Sequence, residues 1–199
     1  MKNVIFDVGG VLLDWNPGRL LEGYYADPGE RAAMKAAIFL HADWLELDRG
    51  VLSESALFER IGERARRPVP ELANLFEVIR DSLLPKQDSV ALLAGLAARG
   101  VPLYCLSNMP AGIFSTLRER FEFWTHFDGI VVSGLVKLVK PEAAIFEHLL
   151  NRYGLAAEES VFIDDLPANV EAAKSLGFHG ILFESAEQVA GALRGLLVD

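Results

Sequence analysis

Near its N-terminus the chain reads Val4-Ile5-Phe6-Asp7-Val8-Gly9-Gly10-Val11-Leu12-Leu13-Asp14. A short apolar run that ends in a carboxylate and two glycines predicts a buried parallel strand with Asp7 at its C-terminal tip. Gly9 and Gly10 allow a tight turn and a close approach of backbone to ligand. Open α/β sheets bind ligands outside the carboxyl ends of their strands, which is where Asp7 falls. Asp-x-Gly-Gly is also ordinary turn chemistry, so the reading depends on what other strands bring to the same edge.

From residue 85 onward strands and helices alternate, the pattern of a parallel sheet covered on both faces. Helices are expected over 88–99, 113–120, 142–153, 168–176 and 186–197, and strands over 101–106, 129–132, 161–163 and 180–183. Gly100, Gly154 and Gly177 each follow a helix in the position of a C-terminal cap. Between the first strand and this alternating section the spacing predicts only helices, over 31–40, 53–66 and 70–83. The sequence therefore describes a Rossmann-like α/β core, mainly five-stranded and parallel, made of 1–14 and 85–199. An inserted helical cap of 15–84 is placed over the crevice.

Three more strand tips carry polar groups. Ser107-Asn108 follow the second strand, and a hydroxyl with backbone amides before a helix makes an anion site. A plain N-cap explains the same residues equally well. Lys140-Pro141 precede the helix at 142–153; a lysine there opposes the helix dipole unless an anion faces it. Lys137 is the rival, but Pro141 fixes the chain beside Lys140. Val161-Phe162-Ile163 run straight into Asp164-Asp165, two adjacent like charges that a cation would relieve. Carboxylate oxygens suit magnesium, which takes one or two carboxylates together with phosphate and water.

Phe6-Asp7-Val8-Gly9-Gly10-Val11, Ser107-Asn108, Lys140-Pro141 and Asp164-Asp165 resemble, in order and context, the four motifs of the haloacid dehalogenase (HAD)-like hydrolase superfamily. The resemblance spans essentially the whole chain. It is strongest to the phosphatase branch with a helical cap, including a glucose-1-phosphate phosphatase group. It implies a magnesium-dependent phosphatase for a small phosphorylated metabolite, such as a sugar phosphate. Asp7 would be the nucleophile that forms an aspartyl-phosphate. Ser107, Asn108 and Lys140 would bind the phosphoryl group, with Lys140 also neutralising charge on Asp7. The metal would be held by Asp7, the Gly9 carbonyl, Asp165 and, directly or through water, Asp164; Asn169 would orient the acidic loop.

One position departs from that pattern. Most such phosphatases carry a second aspartate where this chain has Gly9, and glycine transfers no proton. General acid-base help is typically worth about 10²- to 10⁴-fold, so a good leaving group, water or a cap residue has to compensate. Asp14, Trp15, Asn16, Trp44, Glu46 and Arg49 are the candidates in the cap, with Trp15 and Trp44 as candidates to stack on a sugar and Arg49 to meet a second anionic group; tryptophans packing the cap and Arg49-Gly50 ending a helix explain the same residues. The alternatives are a haloacid dehalogenase-type hydrolase, which needs no paired acidic metal site, and a non-catalytic phosphometabolite-binding protein.

The formal charge of −9 disfavours nucleic acid and anionic membranes as partners. No apolar segment approaches membrane-spanning length. The one cysteine, Cys105, excludes an internal disulfide and suits a cytoplasmic location. The expected partners are a small phosphorylated metabolite and, at most, a second copy, as monomer or homodimer.

Overall fold

The computed structural model describes residues 2–197. A five-stranded, wholly parallel sheet has the order β3-β2-β1-β4-β5, with β1 (Asn3–Phe6) at its centre. β2 (Leu103–Ser107) and β4 (Ser160–Asp164) flank it, and β3 (Gly129–Val132) and β5 (His179–Leu182) form the edges. Phe6 is level with Cys105 on one side and Ile163 on the other. The next residue, Asp7, therefore leaves the sheet beside the ends of β2 and β4.

The period-two alternation of a strand divides the core into two faces. Val4, Phe6, Leu103, Cys105, Val161 and Ile163 face one apolar cluster. Ile5, Leu106 and Phe162 face another. The first is covered by α6 (Gln87–Ala98), α7 (Ala111–Arg120) and α11 (Ala186–Leu196); the second by α9 (Ala143–Tyr153) and α10 (Pro167–Ser175). A single turn, α8 (Ser133–Val136), leaves the end of β3. Gly154 ends α9 at φ 65°, the left-handed cap expected of glycine.

Between β1 and α6 lie five helices and no strand of the sheet: α1 (Pro17–Tyr24), α2 (Pro28–Ile38), α3 (Ala42–Asp48), α4 (Glu54–Ala65) and α5 (Val69–Ser82). Four start on side-chain caps, from Asn16, Asp27, His41 and Ser53. Their inward residues, among them Leu21, Met34, Ile38, Leu47, Leu57, Ile61, Leu72 and Phe76, form an apolar cluster of their own. Trp15 packs against both this cluster and the sheet. No helix among the described residues is long and apolar enough to cross a membrane.

Asp43 of α3 is buried and accepts hydrogen bonds from Arg60 Nη1 at 2.9 Å and Arg64 Nη1 at 2.6 Å, both from α4. Burial alone would raise its pKa, but the hydrogen bonds from Arg64 and Arg60 outweigh burial and hold the carboxyl below its usual value. Because the folded pKa is depressed, the contribution is present above the unfolded value near 4 and is lost as pH falls through the folded one. Replacing Asp43 with alanine is expected to cost about 1–2 kcal/mol, less than breaking a fully buried pair because Arg60 stays half-exposed. Thermal unfolding at pH 7 and at pH 3 checks this: the variant's deficit should shrink at the lower pH.

Candidate active site

The centre of the site is a buried ammonium. Lys140 is 2% exposed, and its three protons have three acceptors: Asp7 Oδ1 at 2.8 Å, Asp164 Oδ2 at 2.7 Å and the Leu106 carbonyl at 2.9 Å. Burial by itself lowers a lysine pKa, but Asp7 and Asp164 reverse that and keep it above its ordinary value. Lys140 is therefore a fixed cation at the tips of β1, β2 and β4. Lys137, by contrast, is exposed and donates to the Gly50 and Gly134 carbonyls.

Lys140 is held from the loop after β2. Asn108 Oδ1 accepts from the Lys140 backbone N–H at 2.8 Å, and Asn108 Nδ2 donates to the Lys140 carbonyl at 3.0 Å. The Asn108 side chain thus serves to clamp the lysine. α7 starts only at Ala111, with Pro110 as its cap residue and no side-chain cap bond, so neither Ser107 nor Asn108 caps that helix. The Ser107 hydroxyl is buried with no hydrogen-bond partner among the described residues. An orphaned buried hydroxyl costs about 1–3 kcal/mol, and a bound anion would satisfy it.

Asp164 is fully buried and saturated with donors. Its Oδ1 accepts from Leu166 N at 2.8 Å and Asn169 Nδ2 at 3.0 Å, and its Oδ2 from Lys140 and Asn169 Nδ2. Asp165 is partly exposed and lies directly over Gly10, where an added Cβ would run into its carboxylate. Gly10 also has φ 75°, a conformation that only glycine adopts easily.

Asp7, Asp164 and Asp165 each offer an oxygen within 4.8 Å of the others. Burial, opposed by Lys140 and reinforced by Asp164, raises the Asp7 pKa. Burial and Asp164 raise Asp165 as well. Three carboxylates outnumber the ammonium groups beside them, and a hard divalent cation fits these oxygen-only donors. Lys86 adds a second cation nearby, donating to the Gly10 carbonyl at 2.7 Å. Cys105 lies below in the sheet, and burial and the Asp7 charge push its thiol up, which makes it a poor nucleophile.

On the helical side most candidates have other work. A Cβ built on Gly9 would stand 3.7 Å from Trp15, so the indole lies where a side chain at that position would point. Trp15 stacks on Trp44 at 5.7 Å between ring centroids and meets Phe39 edge-on at 5.6 Å. Arg49 forms a two-pronged pair with Glu142, at 2.7 and 2.9 Å. Asn16 caps α1, Asp14 is exposed near Arg19, and Glu46 lies near Arg49. Two residues at this interface lack a local sequence signal. Ser133 donates to the Asp48 carbonyl at 2.6 Å, and the Asp48 carboxyl is buried.

A sequence model of the haloacid dehalogenase-like hydrolases matches residues 1–177. A sesquiterpene phosphatase of Aspergillus oryzae is 32% identical over 98% of this chain and 96% of its own. A phosphoglycolate phosphatase of Yersinia pestis is 30% identical over 89% of this chain and 78% of its own. A HAD-family enzyme from Bacteroides thetaiotaomicron, solved in complex with magnesium and inorganic phosphate, superimposes with a TM-score of 0.75 at 22% identity, covering 92% and 94% of the two chains. With the sheet order and the four strand tips, these matches place the chain among the haloacid dehalogenase-like hydrolases, on their phosphatase branch.

Proposed function

We propose that the protein is a magnesium-dependent phosphatase of a small phosphorylated metabolite, working through an aspartyl-phosphate on Asp7, with residues 15–84 as its cap. The observation that carries this reading is the convergence of Asp7, Lys140 and the acidic pair Asp164-Asp165 at one sheet edge. An Asp7 oxygen attacks phosphorus while the ester oxygen departs, and water then displaces Asp7 from phosphorus. Lys140 holds the Asp7 carboxylate in place and balances negative charge as it builds on the phosphoryl oxygens. Ser107 donates its hydroxyl to a phosphoryl oxygen, and the amide of Asn108 lies on the same loop, while the Asn108 side chain keeps Lys140 in register.

Asp7, Asp165 and the Gly9 carbonyl would hold magnesium. Bound there, the metal would neutralise charge on the phosphoryl group. Asp164 already accepts hydrogen bonds on both oxygens, which favours contact with the metal through water. Asn169 orients that carboxylate. The names of the relatives range from a sesquiterpene phosphatase to phosphoglycolate phosphatase, so the reaction is shared more widely than the substrate. A sugar phosphate, with its good leaving group at C1, remains the substrate class that suits Gly9.

Phosphate release from a panel of phosphate monoesters should need magnesium and stop with chelator. Asp7→Asn should lower it by at least about 10³-fold; metal-independent turnover, or an active Asp7→Asn enzyme, contradicts the mechanism. Gly10→Ala should raise the magnesium concentration needed for half-maximal activity, because the added methyl displaces Asp165. An unchanged magnesium titration in a folded Gly10→Ala protein removes Asp165 from the metal site.

A further inference from the structure

We propose that Asp48, at the C-terminus of α3, is the general acid and base of the reaction, the part for which Gly9 has no side chain. This inference rests on the phosphatase reading above. Among the described residues four acidic side chains are buried: Asp7, Asp43, Asp48 and Asp164. Asp7 and Asp164 face Lys140, and Asp43 is neutralised by Arg60 and Arg64. Asp48 alone of the four has no ion pair among the described residues, although it is only 8% exposed.

Its backbone is tied to the loops that carry the site. The Asp48 carbonyl accepts from Ser133 Oγ at 2.6 Å, and that Ser133 hydroxyl in turn accepts from the N–H of Met109 at 2.8 Å, two residues past Ser107. The next residue, Arg49, grips Glu142, two residues past Lys140. The Gly50 carbonyl then accepts from Lys137. Three consecutive residues of the helical section are thus anchored to the two loops bearing Ser107, Asn108 and Lys140.

The groups around the carboxyl suit proton transfer. Trp44, one turn earlier on α3, and Lys140 both lie close enough to stabilise its charge. The other charged groups at this interface are engaged elsewhere: Arg49 with Glu142, Lys137 with carbonyls, Arg60 and Arg64 with Asp43. The C-terminal end of α3 disfavours a carboxylate. Burial outweighs Lys140 and Trp44 and raises the carboxyl to about 7, the range in which one group both gives and takes a proton.

In the first step the Asp48 carboxyl gives its proton to the ester oxygen as the P–O bond breaks and the Asp7–phosphorus bond forms. In the second, the Asp48 carboxylate takes a proton from the attacking water as phosphorus leaves Asp7. Asp7 returns as carboxylate and Asp48 as acid.

The test compares wild type, Asp48→Asn and Asp48→Glu on an alkyl phosphate and on p-nitrophenyl phosphate, whose leaving group departs without a proton. Asp48→Asn should lose about 10²-fold or more in alkyl phosphate cleavage. On the aryl ester it should keep a nitrophenolate burst within tenfold of wild type, followed by slow turnover. Wild-type single-turnover cleavage of the alkyl ester should fall above about pH 7, as the acid ionises, and that of the aryl ester should not. Asp48→Glu should restore part of the alkyl activity. Equal loss on both esters, no loss on either, or the same alkaline limb for both esters in wild type overturns the proposal, and the last comparison needs no variant to fold. Wild type inactive on both esters overturns the phosphatase reading itself.

Discussion

The buried ammonium of Lys140 is the constraint on which the rest of the site depends. A lysine with almost no solvent contact is tolerated only because Asp7, Asp164 and the Leu106 carbonyl take all three of its protons. Removing one partner of such a buried arrangement typically costs about 3–5 kcal/mol. The same ammonium joins four chain segments at once: the tips of β1, β2 and β4, and the loop that precedes α9. Asn108 then locks the lysine's backbone to the tip of β2. One cation thereby sets the relative positions of four strand-associated groups that lie far apart in sequence.

The excess of negative charge that remains is equally informative. Three carboxylates converge, and the ammonium groups of Lys140 and Lys86 do not balance them. Burial, with the charge of Asp164 added to it, makes both Asp7 and Asp165 bind their protons more tightly. In the proposed reaction a divalent metal would pair with the carboxylates, while Lys140 and the Ser107 hydroxyl would face the phosphoryl group. The helical section contributes differently. It supplies an aromatic wall, Trp15 on Trp44, against Gly9, and a tether running from Asp48 to Gly50.

Much of this arrangement is legible in the sequence because its signals are local. An apolar run that ends in Asp7 or in Asp164-Asp165 cannot keep those carboxylates inside the sheet, so it must deliver them at the tip. The alternation after residue 85 likewise dictates a parallel sheet with helices on both faces, and the glycine at 154 caps its helix as expected. What is not legible arises from distant pairings. That Asn108 holds the Lys140 backbone, or that Ser133 holds Asp48, depends on contacts across 32 and 85 residues that leave no periodicity behind. The short helices α1 and α3, eight and seven residues long, also lack enough turns for a clear pattern, although Asn16-Pro17 carries a usable start signal. Trp15 and Trp44 read from sequence as candidates to stack on substrate; the structure packs them on each other and on Phe39.

The central claim is covalent chemistry at Asp7, and the most direct measurement is to trap it. Enzyme quenched in acid during turnover and treated with borohydride converts an aspartyl-phosphate to homoserine, which peptide mass spectrometry locates. The account requires homoserine at position 7 and at no other aspartate, in particular not at Asp48, Asp164 or Asp165. Steady turnover with every aspartate recovered unchanged would contradict it and point instead to direct attack by water.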